Sequence, residues 1–218
     1  MNNRQTVFLV RHGKTSWAER GRHTGRTDIP LSCEGRREAA ILKPVFEKVD
    51  ICLVLSSPLK RAFETCEIAG LSERSRKEPD LMEWDYGGYE GLTTSEIREK
   101  VPLWTVFTHP VPGGENIEEV ARRADRVIGE IRQREGNIVI FSHGHFLRVM
   151  ASRWLGMDPS FGRFFPLGTS TLSVFDYEHE YPAIRTWNGP LLTSACALSR
   201  LEEQSRIKGS EAREQKRS

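Results

Sequence analysis

The stretch Val7-Phe8-Leu9-Val10-Arg11-His12-Gly13 decides the fold of this chain, because a short apolar run changes directly into an arginine, a histidine and a glycine. A second segment, residues 138–145, follows the same pattern and reads Ile-Val-Ile-Phe-Ser-His-Gly-His. Continuous apolar runs of this length are typical of parallel strands that are covered on both faces. Ligands of open α/β sheets bind at the carboxyl ends of such strands. The two segments therefore predict a pair of histidines in a crevice, beside an arginine that suits an anionic group such as phosphate.

Strand and helix patterns alternate through the rest of the chain. Further strands are predicted at residues 51–56 and 171–176, with a weaker candidate near residues 183–187. Helical patterns begin near Ser32, Pro58, Asn116 and Gly144, and Pro44 is expected to end or kink the first of these helices. This order predicts an α/β fold, a three-layer α/β/α sandwich with a mostly parallel central sheet and helices on both faces.

Composition predicts one domain followed by a tail. Residues 1–198 are expected to form a single α/β domain, and residues 199–218 a charged, disordered tail with few large apolar side chains. Within the domain, residues 84–115 interrupt the alternation of strands and helices and are rich in Gly, Trp, Tyr and Pro. This segment is predicted to be a small lid insertion over the edge of the sheet.

Charge and cysteine content restrict the partners and the compartment. The 218 residues include 32 basic and 30 acidic side chains, a balance that does not favour nucleic acid or an anionic membrane. No apolar stretch approaches the ~20 residues of a membrane helix, and residues 7–10 are too few for the core of a signal peptide. The four cysteines are scattered, which predicts reduced thiols in a cytoplasmic protein. The expected partner is a small-molecule phosphate ester, and homodimer formation stays open.

Four segments place polar groups next to hydrophobic anchors, at residues 11–13, 57–61, 83–87 and 143–145. Arginine side chains match phosphate oxygens with paired hydrogen bonds. A neutral imidazole can attack phosphorus, and a carboxyl group can protonate the departing alcohol and later take a proton from water. Together these groups would form a complete phosphoryl-transfer site, so that no metal and no cofactor is predicted.

Residues 9–15, Leu-Val-Arg-His-Gly-Lys-Thr, resemble the RHG signature of the histidine phosphatase superfamily, also called the phosphoglycerate mutase-like family. Four later blocks resemble the family in the same order, at residues 23–32, 56–62, 83–91 and 142–145. A lone RHG would be a weak signal, but five ordered blocks between about residues 5 and 190 are specific. The segments 83–93 and 142–148 are most similar to the branch that includes sedoheptulose-bisphosphatase and related sugar-phosphate phosphatases.

The resemblance implies a role for each site residue. His12 would be the nucleophile that forms a phosphohistidine, with Arg11 and Arg61 as a clamp on the phosphate and His143 beside it. Glu83 would act as general acid in the first half-reaction and as base in the second. The further candidates for phosphate or substrate contacts are Thr15, Thr24, Tyr86, Gly144 and His145. Gly144 is also expected to let the backbone approach the phosphate closely, whereas His23, His109 and His179 are expected to have no catalytic role.

One position departs from the family pattern. Many members, mutases especially, have an asparagine after the tryptophan that follows RHG, but here Ala18 follows Trp17. Alanine cannot donate a hydrogen bond to phosphate, so a weakened pocket is expected, partly compensated by Thr24 or Thr15.

Two alternatives to hydrolysis share the same residues. Mutases of the family carry a long basic insertion and Gly-Asn after the second histidine, whereas residues 93–112 contain only Arg98 and Lys100 as cations and Gly144 is followed by His145. An inactive module that binds phosphorylated ligands would be expected to lack a core residue, and none is missing. The sequence therefore predicts a metal-independent phosphomonoester hydrolase that acts through a phosphohistidine on a small phosphorylated metabolite, with a sugar phosphate as the first choice. Phosphoglycerate-mutase-type transfer is the main alternative.

Overall fold

Six strands build one sheet in the computed structural model of the chain, which describes residues 5–190. In chain order these strands are β1 (Gln5–Arg11), β2 (Ile51–Ser56), β3 (Ser75–Lys77), β4 (Gly136–Ser142), β5 (Thr171–Glu178) and β6 (Tyr181–Pro190). Across the sheet they lie in the order β3-β2-β4-β1-β5-β6. The first four are parallel to one another, whereas β5 is antiparallel to β1 and β6 is antiparallel to β5. The predicted α/β class with a mostly parallel sheet is confirmed.

Seven α-helices lie in the same part of the chain. They are α1 (Ser16–Glu19), α2 (Cys33–Ala39), α3 (Lys43–Phe46), α4 (Lys60–Ile68), α5 (Thr94–Arg98), α6 (Ile117–Ile131) and α7 (Gly144–Trp154). Ser32 caps α2 by accepting a hydrogen bond from the amide of Gly35. A 3₁₀ turn over Ala40–Leu42 separates α2 from α3, as expected from Pro44, which lacks an amide proton and would clash with the carbonyl of a preceding helical turn.

Side chains of β1 alternate between two hydrophobic clusters, one on each face of the sheet. Val7 and Leu9 pack in the larger cluster together with buried residues of α6 and α7. Phe8 and Val10 pack in the smaller cluster, which includes Val45 of α3 and Cys66 of α4. Since both faces of the central strand are covered, the run of apolar residues that predicted this strand is explained by burial on both sides.

Aromatic residues of the segment 84–115 are buried in the larger cluster. Trp84, Tyr86, Trp104 and Phe107 all belong to it and pack with the side chains of α6 and α7. The description of this segment as a lid remains a prediction, and the expected tail at residues 199–218 lies outside the described residues. Among residues 5–190, no helix combines the length and the apolar character that crossing a bilayer requires.

Candidate active site

The carboxyl ends of three parallel strands bring the polar segments to one edge of the sheet. Arg11, the last residue of β1, is paired with Ser142, the last residue of β4. The amide of His12 donates to the carbonyl of Ser142 at 3.0 Å, and the amide of Ser57 donates to the carbonyl of Phe141 at 2.9 Å. The residues that follow β1, β2 and β4 are therefore neighbours. As a result, the ring centroids of His12 and His143 lie 5.2 Å apart.

His12 is buried, and one of its two ring nitrogens is already hydrogen-bonded. Its Nδ1 lies 2.7 Å from the carbonyl oxygen of Gly13. A carbonyl oxygen can only accept, so Nδ1 carries the proton and Nε2 keeps its lone pair. Burial, with the positive charges of Arg61 and Arg11, holds the pKa of His12 well below its usual value of 6.5. At neutral pH this ring is consequently uncharged and nucleophilic at Nε2.

Two arginines, the half-buried Arg11 and the buried Arg61, flank the histidines, and each has an unpartnered donor. The Nη atoms of Arg61 donate to the carbonyl oxygens of Thr27 (3.0 Å), Thr24 (3.0 Å) and Gly25 (2.9 Å). Arg11 donates from Nη1 to the carbonyl of Leu167. The Nε atoms of both arginines are buried and have no partner among the described residues. Each guanidinium is thus fixed in place while one N–H group stays free.

His143 contributes a third unpartnered nitrogen. Its Nε2 lies 2.7 Å from the hydroxyl of Ser57, while its Nδ1 is buried without a partner in the described part of the chain. Burial and the charge of Arg61 lower its pKa well below 6.5, so this ring is also neutral. Buried polar atoms without partners are rare because each costs roughly 1–3 kcal/mol. Three of them around one histidine fit a ligand whose oxygens accept hydrogen bonds.

Glu83 places its carboxylate at the N-terminus of α7. One of its oxygens accepts from the amides of Trp84 and Phe146, both at 2.9 Å, and the other accepts from the amide of His145 at 3.1 Å. The first amides of a helix carry partial positive charge and attract an anion. Burial lowers the pKa of Arg11 and Arg61, and the negative charge of Glu83 offsets part of this effect.

Gly144 leaves space for the guanidinium of Arg11. A Cβ atom at this position would lie 3.0 Å from Cζ and 3.1 Å from Nε of Arg11. The backbone therefore approaches the guanidinium closely. The reason is steric, because only a hydrogen at this Cα leaves the plane of the guanidinium undisturbed. The close approach of the backbone to phosphate stays a prediction.

Thr15 and Thr24, the two threonines expected to compensate for Ala18, have other contacts. The Thr15 hydroxyl caps α1 by accepting from the amide of Ala18 at 3.2 Å. The Thr24 hydroxyl donates to the carbonyl of Arg22 at 3.3 Å, and the Thr24 carbonyl accepts from Arg61. Direct contact of either hydroxyl with phosphate stays a prediction.

Aromatic and imidazole rings form a wall next to Glu83. The Tyr86 hydroxyl lies 2.5 Å from Nδ1 of His145. Burial raises the pKa of Tyr86 well above 10, so the phenol keeps its proton and donates it to Nδ1. The His23 ring lies 4.8 Å from Tyr86 and 5.8 Å from His145. Burial lowers the pKa of His145 well below 6.5 and that of His23 to about 4. The three rings of this distal wall (His23, Tyr86 and His145) are hence neutral hydrogen-bonding groups.

Three residues with no assigned role turn out to hold the site together. Glu90 accepts from the amides of Gly25 and Thr27 and fixes the loop whose carbonyls bind Arg61. Thr65 accepts from the amide of Gly13 at 3.2 Å, and its position four residues after Arg61 on α4 is a helical spacing that could have indicated this. The third is Ser57, whose hydroxyl is hydrogen-bonded to Nε2 of His143. Glu90 and Ser57 have no local sequence signal that specifies their partners.

A fold of this type, with two neutral histidines between two fixed guanidiniums and a carboxylate alongside, defines a site for phosphoryl chemistry. The family model described as histidine phosphatase superfamily, branch 1, matches residues 7–190. The chain belongs to this superfamily, which confirms the prediction from its motifs, and membership supports phosphoryl transfer through a phosphohistidine.

Similar proteins point in the same direction. An acid phosphatase of Mycobacterium tuberculosis is 37% identical over 177 residues, which correspond to 79% of this chain and 87% of that protein. Sedoheptulose 1,7-bisphosphatase of Saccharomyces cerevisiae is 33% identical over 182 residues, or 69% of this chain and 67% of that protein. The solved structure of the Rv3214 open reading frame product of Mycobacterium tuberculosis superimposes with a TM-score of 0.82 at 34% identity. That match covers 86% of this chain and 98% of the other.

Proposed function

We propose that this protein is a metal-independent phosphomonoester hydrolase in which His12 is the nucleophile. The observation that carries the proposal is the group of buried nitrogens around His12. Nε of Arg11, Nε of Arg61 and Nδ1 of His143 have no partner in the described residues, and Nε2 of His12 has a free lone pair. A phosphoryl group between these atoms would accept three hydrogen bonds while it faces the nucleophile, a geometry that stabilises charge on its equatorial oxygens.

The reaction proceeds in two balanced steps. In the first, Glu83 begins as the protonated carboxyl. Nε2 of His12 attacks phosphorus and forms a P–N bond, the ester P–O bond breaks, and the departing oxygen takes the proton of Glu83, which leaves the carboxylate that the amides of Trp84, His145 and Phe146 hold. In the second, Glu83 takes a proton from water as the water oxygen attacks phosphorus, the P–N bond breaks, and inorganic phosphate leaves. The lowered pKa of His12 supports this role, because a protonated ring could not attack.

The distal wall favours a leaving group that is neutral and carries hydroxyls. At neutral pH, His23 and His145 are uncharged, and Tyr86 is a protonated phenol. The partly exposed rings of His23 and His145 can hydrogen-bond to hydroxyls, whereas the buried Tyr86 acts by donating to Nδ1 of His145. None of the three groups provides a cation for a carboxylate. Arg98, a cation of the segment that carries the basic insertion in mutases, donates instead to the carbonyl of Trp104. A sugar phosphate is therefore the preferred substrate class, and water is the preferred acceptor.

A covalent intermediate on His12 is the decisive test. Wild-type protein mixed with radiolabelled p-nitrophenyl phosphate and quenched rapidly should carry acid-labile, base-stable label, and His12→Ala should carry none and hydrolyse nothing. His179→Ala is the matched control, because this histidine is exposed in the turn between β5 and β6. Turnover that survives in His12→Ala would refute the assignment.

The substrate class and the acceptor are tested separately. Sugar monophosphates and bisphosphates should be hydrolysed faster than phosphoserine or phosphoglycerate, without loss of activity in a chelator. Interconversion of phosphoglycerates that depends on a bisphosphate primer would assign the chain to mutase-type transfer instead. The three described cysteines, Cys33, Cys52 and Cys66, are free thiols, which fits the proposal that the enzyme works in the cytoplasm.

A further inference from the structure

The hydroxyl of Ser57 faces the second histidine of the site from the side opposite to the unpartnered nitrogen. Ser57 and His143 are both fully buried, and Oγ of Ser57 lies 2.7 Å from Nε2 of His143. The amide of Ser57 is bound to the carbonyl of Phe141 at the end of β4. The sheet itself thus fixes the distance between this hydroxyl and the imidazole.

The position of the shared proton follows from the other contacts of Ser57. Its Oγ already accepts a hydrogen bond from the amide of Leu59 at 3.3 Å. The hydroxyl proton needs an acceptor, and Nε2 of His143 is the one that the described hydrogen bonds provide. A neutral imidazole carries one proton, so a ring that accepts at Nε2 has its N–H at Nδ1. The buried Nδ1 without a partner is then a donor.

We propose that Ser57 is a positioning residue that holds His143 in the Nδ1–H tautomer and thereby presents a neutral N–H donor to the phosphoryl group. In the opposite tautomer, a lone pair at Nδ1 would face the phosphoryl oxygens, and one hydrogen bond would be replaced by repulsion. This inference rests on the proposed function, since it assigns the phosphoryl group as the acceptor. Groups that orient a functional histidine through its other nitrogen typically change activity ~10–100-fold when removed.

The tautomer is measured directly by NMR of the histidine ring nitrogens, in protein with isotope-labelled histidine and with inorganic phosphate as the probe. The signals of His143 are assigned by their loss in His143→Gln. The expected result is a protonated Nδ1 and an unprotonated, hydrogen-bonded Nε2 in wild type. Ser57→Ala should convert His143 partly or wholly to the Nε2–H tautomer. A wild-type ring with its proton at Nε2, or an unchanged Nδ1–H tautomer in Ser57→Ala, would overturn the inference.

Kinetics provide a second readout with a matched control. Ser57→Ala should lower kcat for p-nitrophenyl phosphate about 10–100-fold, and Ser57→Thr, which keeps the hydroxyl, should recover most of this loss. Ser56 is the control, because it is equally buried but its hydroxyl donates to the carbonyl of Ser57 at 3.0 Å instead. Ser56→Ala should change neither kcat nor the tautomer. If Ser56→Ala and Ser57→Ala lose kcat and thermal stability equally, Ser57 contributes only to packing and the positioning role is refuted.

The two proposals fail separately. A protein that hydrolyses no phosphate ester but shows the Nδ1–H tautomer and its dependence on Ser57 would contradict the hydrolase function and leave the tautomer inference standing. A protein that hydrolyses esters through His12 but has the Nε2–H tautomer at His143 would support the hydrolase function and contradict the tautomer inference.

Discussion

Glu83→Gln separates the catalytic role of this carboxylate from its structural role. In the native site, two carboxylate oxygens accept from three amides, those of Trp84, His145 and Phe146. Glutamine has nearly the same shape but has only one oxygen. If that oxygen keeps the amides of Trp84 and Phe146, the new NH₂ group faces the amide of His145, where two donors meet and one buried N–H loses its acceptor.

The structural cost follows from that single lost acceptor. A buried donor without a partner costs about 1–3 kcal/mol, which for a domain of this size corresponds to a fall in Tm of roughly 2–12 °C. The catalytic cost is the loss of the proton that Glu83 would give to the leaving oxygen. General acid catalysis contributes about 10²–10⁴-fold, and only to leaving groups that need the proton.

The assay compares two esters on the same variant. We expect Glu83→Gln to lose about 10²–10⁴-fold in kcat on a sugar phosphate and much less on p-nitrophenyl phosphate, because nitrophenolate leaves without a proton. The aryl ester therefore reports whether the site is still assembled, and thermal unfolding measures the structural cost. Glu118→Gln, which alters an exposed carboxylate in the first turn of α6, should affect neither ester. Equal losses on both esters would refute Glu83 as the acid and place that role on another group.

Three further perturbations test the geometry and electrostatics of the site. Gly144→Ala brings a methyl group within 3.0 Å of the Arg11 guanidinium, and it should weaken inorganic phosphate binding about 10–150-fold with little change in Tm, since a single displaced charged hydrogen bond is worth ~1.5–3 kcal/mol. Unchanged phosphate affinity in a titration would show that Arg11 has room to move. Because the pKa values of His12, His143 and His145 lie well below 6.5 in the fold and that of His23 is about 4, the unfolded chain takes up protons that the native chain does not as pH falls below about 6.5. The free energy of unfolding from urea titrations should thus decrease from about pH 7 to about pH 5.5, by up to ~1.4 kcal/mol per pH unit for each histidine, and a flat profile would contradict the assigned neutral rings. Leu103 has a φ of 62°, in the left-handed region, and is 82% exposed. Leu103→Gly should accordingly raise stability by about 0.5 kcal/mol, the balance of relieved left-handed strain against glycine entropy, whereas Leu103→Ala keeps the strain and should show no gain in the same melts.

The strands that sequence patterns predicted well are those buried on both faces. β1, β2 and β4 are continuous apolar runs because helices or loops cover each side of them. β3 was missed because its three residues, Ser75-Arg76-Lys77, have no apolar pattern and lie at the edge of the sheet. Its existence depends on hydrogen bonds to β2, a tertiary interaction that a local pattern does not encode.

The candidate site was predicted residue by residue for the groups that lie at strand ends. His12 and His143 are brought together as expected, because the ends of parallel strands share one edge. Arg61 lies in the first turn of α4, which follows β2, and its charge lowers the pKa of both histidines. His23, for which no catalytic role is predicted, lies 5.8 Å from His145 in the distal wall. The space that Gly144 leaves for Arg11 was also unexpected. Both relations join segments far apart in the chain, so periodicity and spacing carried no information about them.

The amino-acid sequence by itself determined which chemical groups are present, the order in which the strands deliver them, and the family to which the chain belongs. Only the tertiary structure decided which ring nitrogens carry protons, which guanidinium donors are left without partners, and in which direction each pKa moves. The physical reason is that these properties depend on burial and on hydrogen-bond partners that are mostly distant in the chain, as with Gly13 and Thr65 or Ser57 and His143. Residue type sets the chemistry that a side chain can perform, and the packed environment selects the protonation state in which it performs it.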